Sequence, residues 1–568
     1  MSEHAFYVPQ DHLSFSTWRT VHHPRQALEM AHSRLLVVCC GFILIFLVIA
    51  VRLVDLGLFQ GKEGGEGYRR HTTGIVSRAN IVDRNGEVIA TSLQTSSLYA
   101  NARIVLDAKE AATKLVQVLP GLTYEDILRR LQSGKGFIWL ARHLTPQKQA
   151  AIMRLGIPGL SFQQDERRVY PHGELFSHVL GYTNIDNKGL SGIEQKFDDF
   201  LNSQGSAFAL SLDTRVQHVL RDELLAGIEK FKAQGGAGVV MNVRTGELLA
   251  MVSLPDFDPN QVGKMDPRHE ALFNRITLGV YEMGSNFKIF TTALYLDKGG
   301  DVARTFDVTP PLRVGRFRIT DIHPVYGAMT VAKIFTESSN IGMAKMALQF
   351  GGTSQRNFFE KLGFFKPLSL QIPELGSPLY PKEWSEATTI TASYGYGVAV
   401  SPLHLVSAIG GIINNGVMVP PTLLKVDPTK GLKGKRIVSE KTSHRMRQLL
   451  HQVVAEGTGK KANVPGYQVG GKTGTANTLA GRSYKEGSNL TSFVATFPIS
   501  DPQFLVLILV DRPQGIQETY GFNAGGWNAA PIAGLVIGRI APLLQVMPLP
   551  NSPFGDGIAQ FIPARIFE

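Results

Sequence analysis

The longest uniform stretch of the pattern comes early. From Leu35 to Val51 no residue is charged: LLVVCCGFILIFLVIAV. A bilayer core is spanned by about 20 apolar helical residues. The run LVDLGLF continues the pattern past Arg52, whose long stem snorkels. The expectation is an uncleaved single-pass anchor over residues 35–58, after a leader at 1–34. A cleaved signal peptide competes with that reading, since Val48-Ile49-Ala50 offers a small-x-small site. The length of the leader and the apolar residues beyond the site argue against cleavage. The flanking charges are balanced and give no orientation.

Beyond the anchor the pattern shortens and alternates. Arg78 to Ala90, RANIVDRNGEVIA, predicts strand, Asn-Gly turn, strand. Residues 107–155 follow a helical period, as in DAKEAATKLVQVL and TPQKQAAIMRLG. A second module starts near Phe208, where Thr214 to Lys232 predicts an amphipathic helix capped by Asp213 or Thr214. AGVVMNV and LLAMVS predict a hairpin across Arg244-Thr245-Gly246-Glu247. YQVGGKTG, TSFVATFP and FLVLILVD add three strands late in the chain, with mostly helix and loop between. Strands at both ends with helices between predict an α+β fold, one antiparallel sheet flanked by helices. The division expected is a leader (1–34), an anchor (35–58), an elongated β-rich module (59–205), a layered module (206–550) and a tail (551–568).

Composition narrows the classes. A chain of 568 residues exceeds one core. The net charge of +11 suits an anionic partner, but no Lys/Arg run is interleaved with aromatics, so no nucleic-acid partner is expected. The two cysteines, Cys39 and Cys40, both lie in the apolar run. The rest of the chain therefore has no disulfide and no thiol nucleophile.

Three short motifs carry chemistry. Ser285-Asn286-Phe287-Lys288 opens the apolar run FKIFTTALYLDKG. On a helix, Ser and Lys at i and i+3 share one face. A serine hydroxyl becomes a strong nucleophile when a neighbour takes its proton, and lysine does this once its pKa is lowered. Alone the motif reads equally as a capping serine with a solvated lysine. Ser338-Ser339-Asn340 begins another apolar run, and Lys472-Thr473-Gly474-Thr475 sits in a strand candidate. S-x-x-K, S-x-N and K-T-G in this order are the signature of serine β-lactamases and penicillin-binding proteins. Gly466 to Thr473 also matches the phosphate-loop pattern G-x-x-x-x-G-K-[ST]. That loop needs a strand before it and a helix after it, and the pattern here supplies neither. No metal-ligand spacing stands out, so neither a metal nor another cofactor is expected.

With these residues in view, the chain resembles the class B penicillin-binding proteins. RANIVDRNGEVIATS, RRVYPHGELFSHVLGYT and GLSGIEQKFDDFL resemble that family's pedestal, or dimerisation-type, domain. NVRTGELLAMVSLPDFDPN, EGTGKKANVPGYQVGGKTGTA and GGWNAAPIAG resemble its transpeptidase domain. The resemblance implies a penicillin-binding, serine β-lactamase-like fold and a serine D,D-transpeptidase. Ser285 would attack a donor D-alanyl-D-alanine, with Lys288 as base. Ser338 would relay a proton, and Asn340 would orient Lys288 and the substrate amide. Lys472, Thr473, Gly474 and Thr475 would meet the substrate carboxylate, with the N–H groups of Ser285 and Thr475 as oxyanion hole. Arg78, Arg168 and Glu194 resemble residues that tie pedestal to catalytic domain, and structural ion pairing is the reading preferred for them. Met283, Asn286, His404 and Trp527-Asn528 depart from the family's usual residues.

YEMGSNFKIFT, RITDIHP and the compact loop before ESSNIG resemble the division-specific (FtsI) type. This implies cross-linking of stem peptides at the septum and inhibition by β-lactams. It also implies an inner-membrane site with the catalytic domain outside, beside a polytopic glycan polymerase and other division proteins. An elongation-type enzyme is the alternative. A β-lactamase is disfavoured because the nearest deacylating-Glu pattern, Glu270 to Asn274, precedes Ser285. A non-catalytic scaffold or β-lactam sensor is disfavoured because both motif lysines are retained.

Overall fold

The computed structural model describes residues 24–54 and 77–548, apart from 204, 315–316, 323, 428–432 and 481–482. It divides into two compact units, residues 1–75 and 76–568. In the first, α1 (Pro24–Val54) carries the apolar run, and its side chains from Leu36 to Val51 are exposed. Among the described residues no helix is long and apolar enough to cross a membrane. Residues 55–58 of the expected anchor, and the tail from 549, lie outside the described residues.

The second unit begins with the predicted hairpin. β1 (Ile81–Val82) pairs antiparallel with β2 (Val88–Ala100) across the Asn-Gly turn. Asp83 fixes that turn by accepting from the N–H groups of Asn85 (2.7 Å) and Glu87 (2.9 Å). Helices α2 (Ala108–Val118), α3 (Tyr124–Leu131) and α4 (Pro146–Arg154) follow, each capped by an Asp or Thr. A strand, β3 (Ile138–Leu144), interrupts the stretch that the pattern read as helical throughout. IWLARHL alternates over too few residues to stand out between two helices, and its pairing with β2 decides the matter. β4 (Leu160–Val169) flanks β2, and the short β5 (Phe208–Ala209) pairs parallel with β1.

Inside this region Glu194 is fully buried between two guanidinium groups. Arg78 Nε and Arg168 Nε each donate to it at 2.7 Å. Arg78 also pairs with Asp198 at 2.7 Å, and Arg168 donates to the Ala79 carbonyl at 2.9 Å. Among the described residues, every partner of this cluster lies between residues 78 and 202. The expected ion pairing is present, but the expectation that it ties the pedestal to the catalytic region is corrected, because it closes the pedestal on itself. The tie is made elsewhere. Asn260 pairs with both backbone groups of Tyr170 (3.0 and 3.1 Å), His178 Nε2 meets the Ala271 carbonyl at 2.8 Å, and Gly192 N–H donates to Glu374 at 3.1 Å.

The catalytic region is built on a five-stranded antiparallel sheet. Its strands are β6 (Gly235–Asn242), β7 (Leu248–Leu254), β8 (Gly470–Ala480), β9 (Ser483–Phe497) and β10 (Phe504–Asp511). They run in the order β8-β9-β10-β6-β7. In β10, Leu505, Leu507 and Leu509 enter one core, and Phe504, Val506, Ile508 and Val510 the other. A strand buried on both faces needs this unbroken apolar run, which is why FLVLILV shows no polar alternation.

One face is covered by α5 (Thr214–Lys230), whose N-cap Asp213 accepts from Arg215 N–H at 3.1 Å, and by α11, residues Ala529–Leu543. The other face carries the helices that hold the site. These are α6 (Lys288–Asp297), α7 (Val331–Thr336), α8 (Asn340–Lys361, kinked at Gly351), α9 (Pro402–Ile413) and α10 (Glu440–Ala455).

Candidate active site

Ser285 sits where a tight turn meets the sheet. Gly284 has φ +50°, and a Cβ there would lie 2.3 Å from the Thr475 carbonyl oxygen, so glycine alone lets the turn abut β8. Residues 284–287 form a 3₁₀ turn, with Lys288 beginning the α-helix proper. Ser285 thus lies at the helix N-terminus, as the pattern predicts, and the tightened first turn there is common. Ser285 remains partly exposed, while Lys288 is 1% exposed.

The second motif hangs between α7 and α8. Ser338 takes φ +62°, a conformation disfavoured for a residue with a Cβ. Its Oγ receives two lysines at once, Lys288 Nζ at 3.0 Å and Lys472 Nζ at 3.0 Å. Lys288 Nζ also donates to the Ser338 carbonyl at 2.5 Å. Ser339 caps α8, accepting from Gly342 N–H at 3.0 Å and donating to Asp321 at 2.6 Å. Asp321 also accepts from the N–H groups of Asn340 (2.5 Å) and Ile341 (3.1 Å). Asn340 turns its side-chain amide to the Thr320 carbonyl at 3.1 Å, outside the two-lysine network.

The third motif lies in β8, so Lys472 stands within a strand and no helix follows it, unlike a phosphate loop. Thr473 shares a hydroxyl contact with Thr458 at 2.9 Å, and Thr475 Oγ1 accepts from Gly525 N–H at 3.2 Å. A Cβ on Gly474 would come within 2.4 Å of both Asn286 Nδ2 and Ser492 Oγ, which themselves bond at 2.7 Å. Gly474 therefore lets the Ser285 turn and β9 close on β8 from two sides.

Ser285, Ser338, Thr473 and Thr475 line one cavity of about 330 Å³. Among the described residues neither Lys288 nor Lys472 makes an ion pair. Burial, then the charge of Lys472, holds the Lys288 pKa well below the usual amine range, with Asp321 opposing weakly. Burial brings Lys472 down to about 7. Two buried amines and one shared hydroxyl make a proton-accepting relay at neutral pH. Among the described residues no cluster of three or more His, Cys, Asp or Glu side chains is placed to hold a metal.

The unusual residues have local reasons. Met283 is buried in the core. His404 accepts from or donates to Ser401 Oγ at 2.7 Å and meets the Lys366 carbonyl at 3.0 Å, capping α9. Asn528 caps α11 and accepts from Thr491 Oγ1 at 2.8 Å, joining that helix to β9. Trp527 borders the cavity with Lys461 Nζ 3.7 Å from its ring centroid. Asp321 and Glu337 also border the cavity, and the sequence reading singled out neither for a role. Glu337 adjoins Ser338 in the chain, and that adjacency was its one available signal.

This fold and this site define a class. Residues 236–537 match the penicillin-binding protein transpeptidase domain, and residues 74–219 the penicillin-binding protein dimerisation domain. The chain belongs to the class B penicillin-binding proteins. Among its relatives, the "Probable peptidoglycan D,D-transpeptidase FtsI" of Caulobacter vibrioides is 39% identical over 516 residues, covering 87% of each chain. The peptidoglycan D,D-transpeptidase FtsI of Escherichia coli is 29% identical, covering 95% of this chain and 94% of that one. The transpeptidase domain of penicillin-binding protein 3 from Burkholderia pseudomallei matches in structure with a TM-score of 0.54 and 32% identity, over 61% of this chain and 98% of that one.

Proposed function

We propose that Ser285 is the acyl-accepting nucleophile of this chain and Lys288 its base. The chain is a peptidoglycan D,D-transpeptidase of the FtsI type, cross-linking stem peptides in septal wall synthesis. The observation that carries the residue assignment is Ser338 Oγ held at 3.0 Å from both Lys288 Nζ and Lys472 Nζ, in the cavity that Ser285 lines.

The chemistry follows in two halves. Lys472, Thr473 and Thr475 hold the terminal carboxylate of the donor, with Gly474 keeping the strand close to the Ser285 turn. Neutral Lys288 takes the Ser285 proton, and Oγ attacks the carbonyl of the penultimate D-alanine. The N–H groups of Ser285 and Thr475 receive the developing oxyanion. The C–N bond to the last D-alanine breaks, its amine takes a proton by way of Ser338, and D-alanine leaves. An amine from a second stem peptide then attacks the acyl-enzyme, and Ser285 recovers its proton. A β-lactam enters the first half and stalls there. Asn340 keeps its proposed orienting role only if its amide leaves Thr320 when substrate binds.

The domain division follows the same proposal: pedestal over 59–205, transpeptidase over 206–550. The apolar side chains exposed along Leu36 to Val51 support an anchor in the inner membrane, since such a surface calls for an apolar surrounding. The catalytic domain then works on the outer side at the division site, beside a polytopic glycan polymerase. Replacing residues 35–51 with an unrelated apolar span tests the partner role, because lost septal recruitment supports it and normal division refutes it. The enzymatic reading is tested by supplying a D-alanyl-D-alanine donor and an amine acceptor. One D-alanine should be released per acyl transfer to amine or water, and Ser285→Ala should release none.

A further inference from the structure

The cavity is not uniform in charge. The segment around the KTG strand contributes cations, Lys460 and Lys461 at the border and Lys472 buried behind the wall, where it reaches the lining residue Ser338. The segment carrying Ser338 contributes the carboxyl groups of Asp321 and Glu337. Asp321 is occupied, since its oxygens accept from Ser339 and two α8 N–H groups. Glu337 is different. It is the C-cap of α7, its side chain is exposed, and it has no ion pair among the described residues.

The reaction brings together substrate ends of opposite sign. The donor offers a carboxylate, which the lysine side of the cavity suits. The acceptor offers a primary amine, an ammonium ion near neutral pH, which must approach the same Ser285 past two buried lysines. Lys460 and Lys461 at the border, with Lys472 where it is protonated, repel it unless a carboxylate offsets them along its path. Resting on the transpeptidase reading above, we propose that Glu337 is the positioning residue for the acceptor. It draws the ammonium of the second stem peptide to the side of the cavity where Ser338 stands.

In that step the ammonium first gives up one proton to solvent. The neutral nitrogen forms a bond to the acyl carbon as the bond from that carbon to Ser285 Oγ breaks. The second amine proton passes through Ser338 and Lys288 to Ser285 Oγ. Glu337 exchanges no proton and acts through charge alone. It therefore governs how much acceptor is needed, with little effect on the rate once acceptor saturates.

The test follows the partition of the acyl-enzyme between amine and water. The full chain is acylated with a D-alanyl thioester, and product is measured against rising concentrations of two acceptors. One is a peptide with a free side-chain amine, charged near neutral pH; the other is hydroxylamine, uncharged there. Glu337→Gln should raise the half-saturating concentration of the peptide amine roughly 3- to 10-fold, and Glu337→Lys by more than about tenfold. Glu337→Asp should restore most of the loss, and the hydroxylamine curve should not move. Unchanged peptide-amine curves in the Gln and Lys variants overturn the proposal. Equal shifts for both acceptors also overturn it, because a disturbed cavity shape does not distinguish charge. Failure of the wild type to form an acyl-enzyme at Ser285 is seen before any acceptor is added, and it removes the underlying reading instead.

Discussion

Two buried polar clusters, one in the pedestal and one in the catalytic region, solve opposite problems. Around Glu194 the charges are matched: two guanidinium groups face two carboxylates, Glu194 and Asp198, and backbone carbonyls take further guanidinium donors. Around Ser338 they are not: two amines meet one hydroxyl and a carbonyl, with no ion pair among the described residues. A matched cluster holds its geometry. An unmatched one lowers amine pKa values, so that a proton is cheaply exchanged near neutral pH. Both clusters are about equally buried, so burial alone does not distinguish structure from chemistry; compensation does.

The largest way to break this comparison is at the unmatched cluster. Lys288→Ala should lower the rate of penicillin acylation about 10³-fold or more, with the fold kept, because the nucleophile loses its base. In the wild type that rate should rise with pH, since only neutral Lys288 accepts a proton. The rise should be complete well below pH 10.5, as burial and the Lys472 charge dictate. Stopped-flow acylation across pH measures both, and a rise centred in the ordinary lysine range contradicts the cause given.

At the matched cluster the expected effect is on stability. Glu194→Ala leaves two buried guanidinium groups facing each other and should cost about 3–5 kcal/mol. Chemical denaturation followed by pedestal fluorescence reads this, and a loss below about 1 kcal/mol would mean the cluster relaxes easily.

Lys472→Met sharpens the contrast, because the two effects take opposite signs. Lys472 has a folded pKa of about 7, below its unfolded value near 10.5. Below pH 7 it is charged in both states and burial of the charge opposes folding fully. Between pH 7 and 10.5 the unfolded state binds more protons, so wild-type stability gains as pH rises. The variant lacks this gain and should be more stable at pH 7 by about 1–4 kcal/mol, while acylation falls. Its residual acylation should also need higher pH, since the charge that lowers Lys288 is gone. A less stable variant at pH 7 contradicts the desolvation account.

The smallest effect is expected at His404→Ala, which removes a buried helix cap. It should cost about 0.5–2 kcal/mol without changing penicillin acylation. A changed acylation rate would give this residue a part in the site that its contacts with Ser401 and Lys366 do not suggest.

The sequence made the chemistry more legible than the architecture around it. S-x-x-K and K-T-G could be read because the chemistry demands those residue types at short spacing. The strands β6, β7 and β10 could be read because their apolar runs are unbroken. β3 was missed because seven alternating residues between two helices carry too weak a period. The ion pairing of Arg78 and Arg168 with Glu194 is as expected, but that it closes the pedestal on itself leaves no local trace, since the pairs join segments 116 and 26 residues apart. The resting contact of Asn340 with Thr320 depends on the loop at 320–321, whose path no local pattern specifies. Asp321 and Glu337 were passed over for the same reason, since they become site residues only when α7 and α8 bring them to the cavity.

In the proposed chemistry Ser285 is the nucleophile because an unmatched lysine pair makes Lys288 a base. The most direct measurement is peptide mapping by mass spectrometry after brief penicillin exposure, in the wild type and in Lys288→Ala. One adduct is expected on Ser285 in the wild type and almost none on the same time scale in the variant. An adduct on another residue, or equal labelling of Ser285 in both proteins, would contradict it.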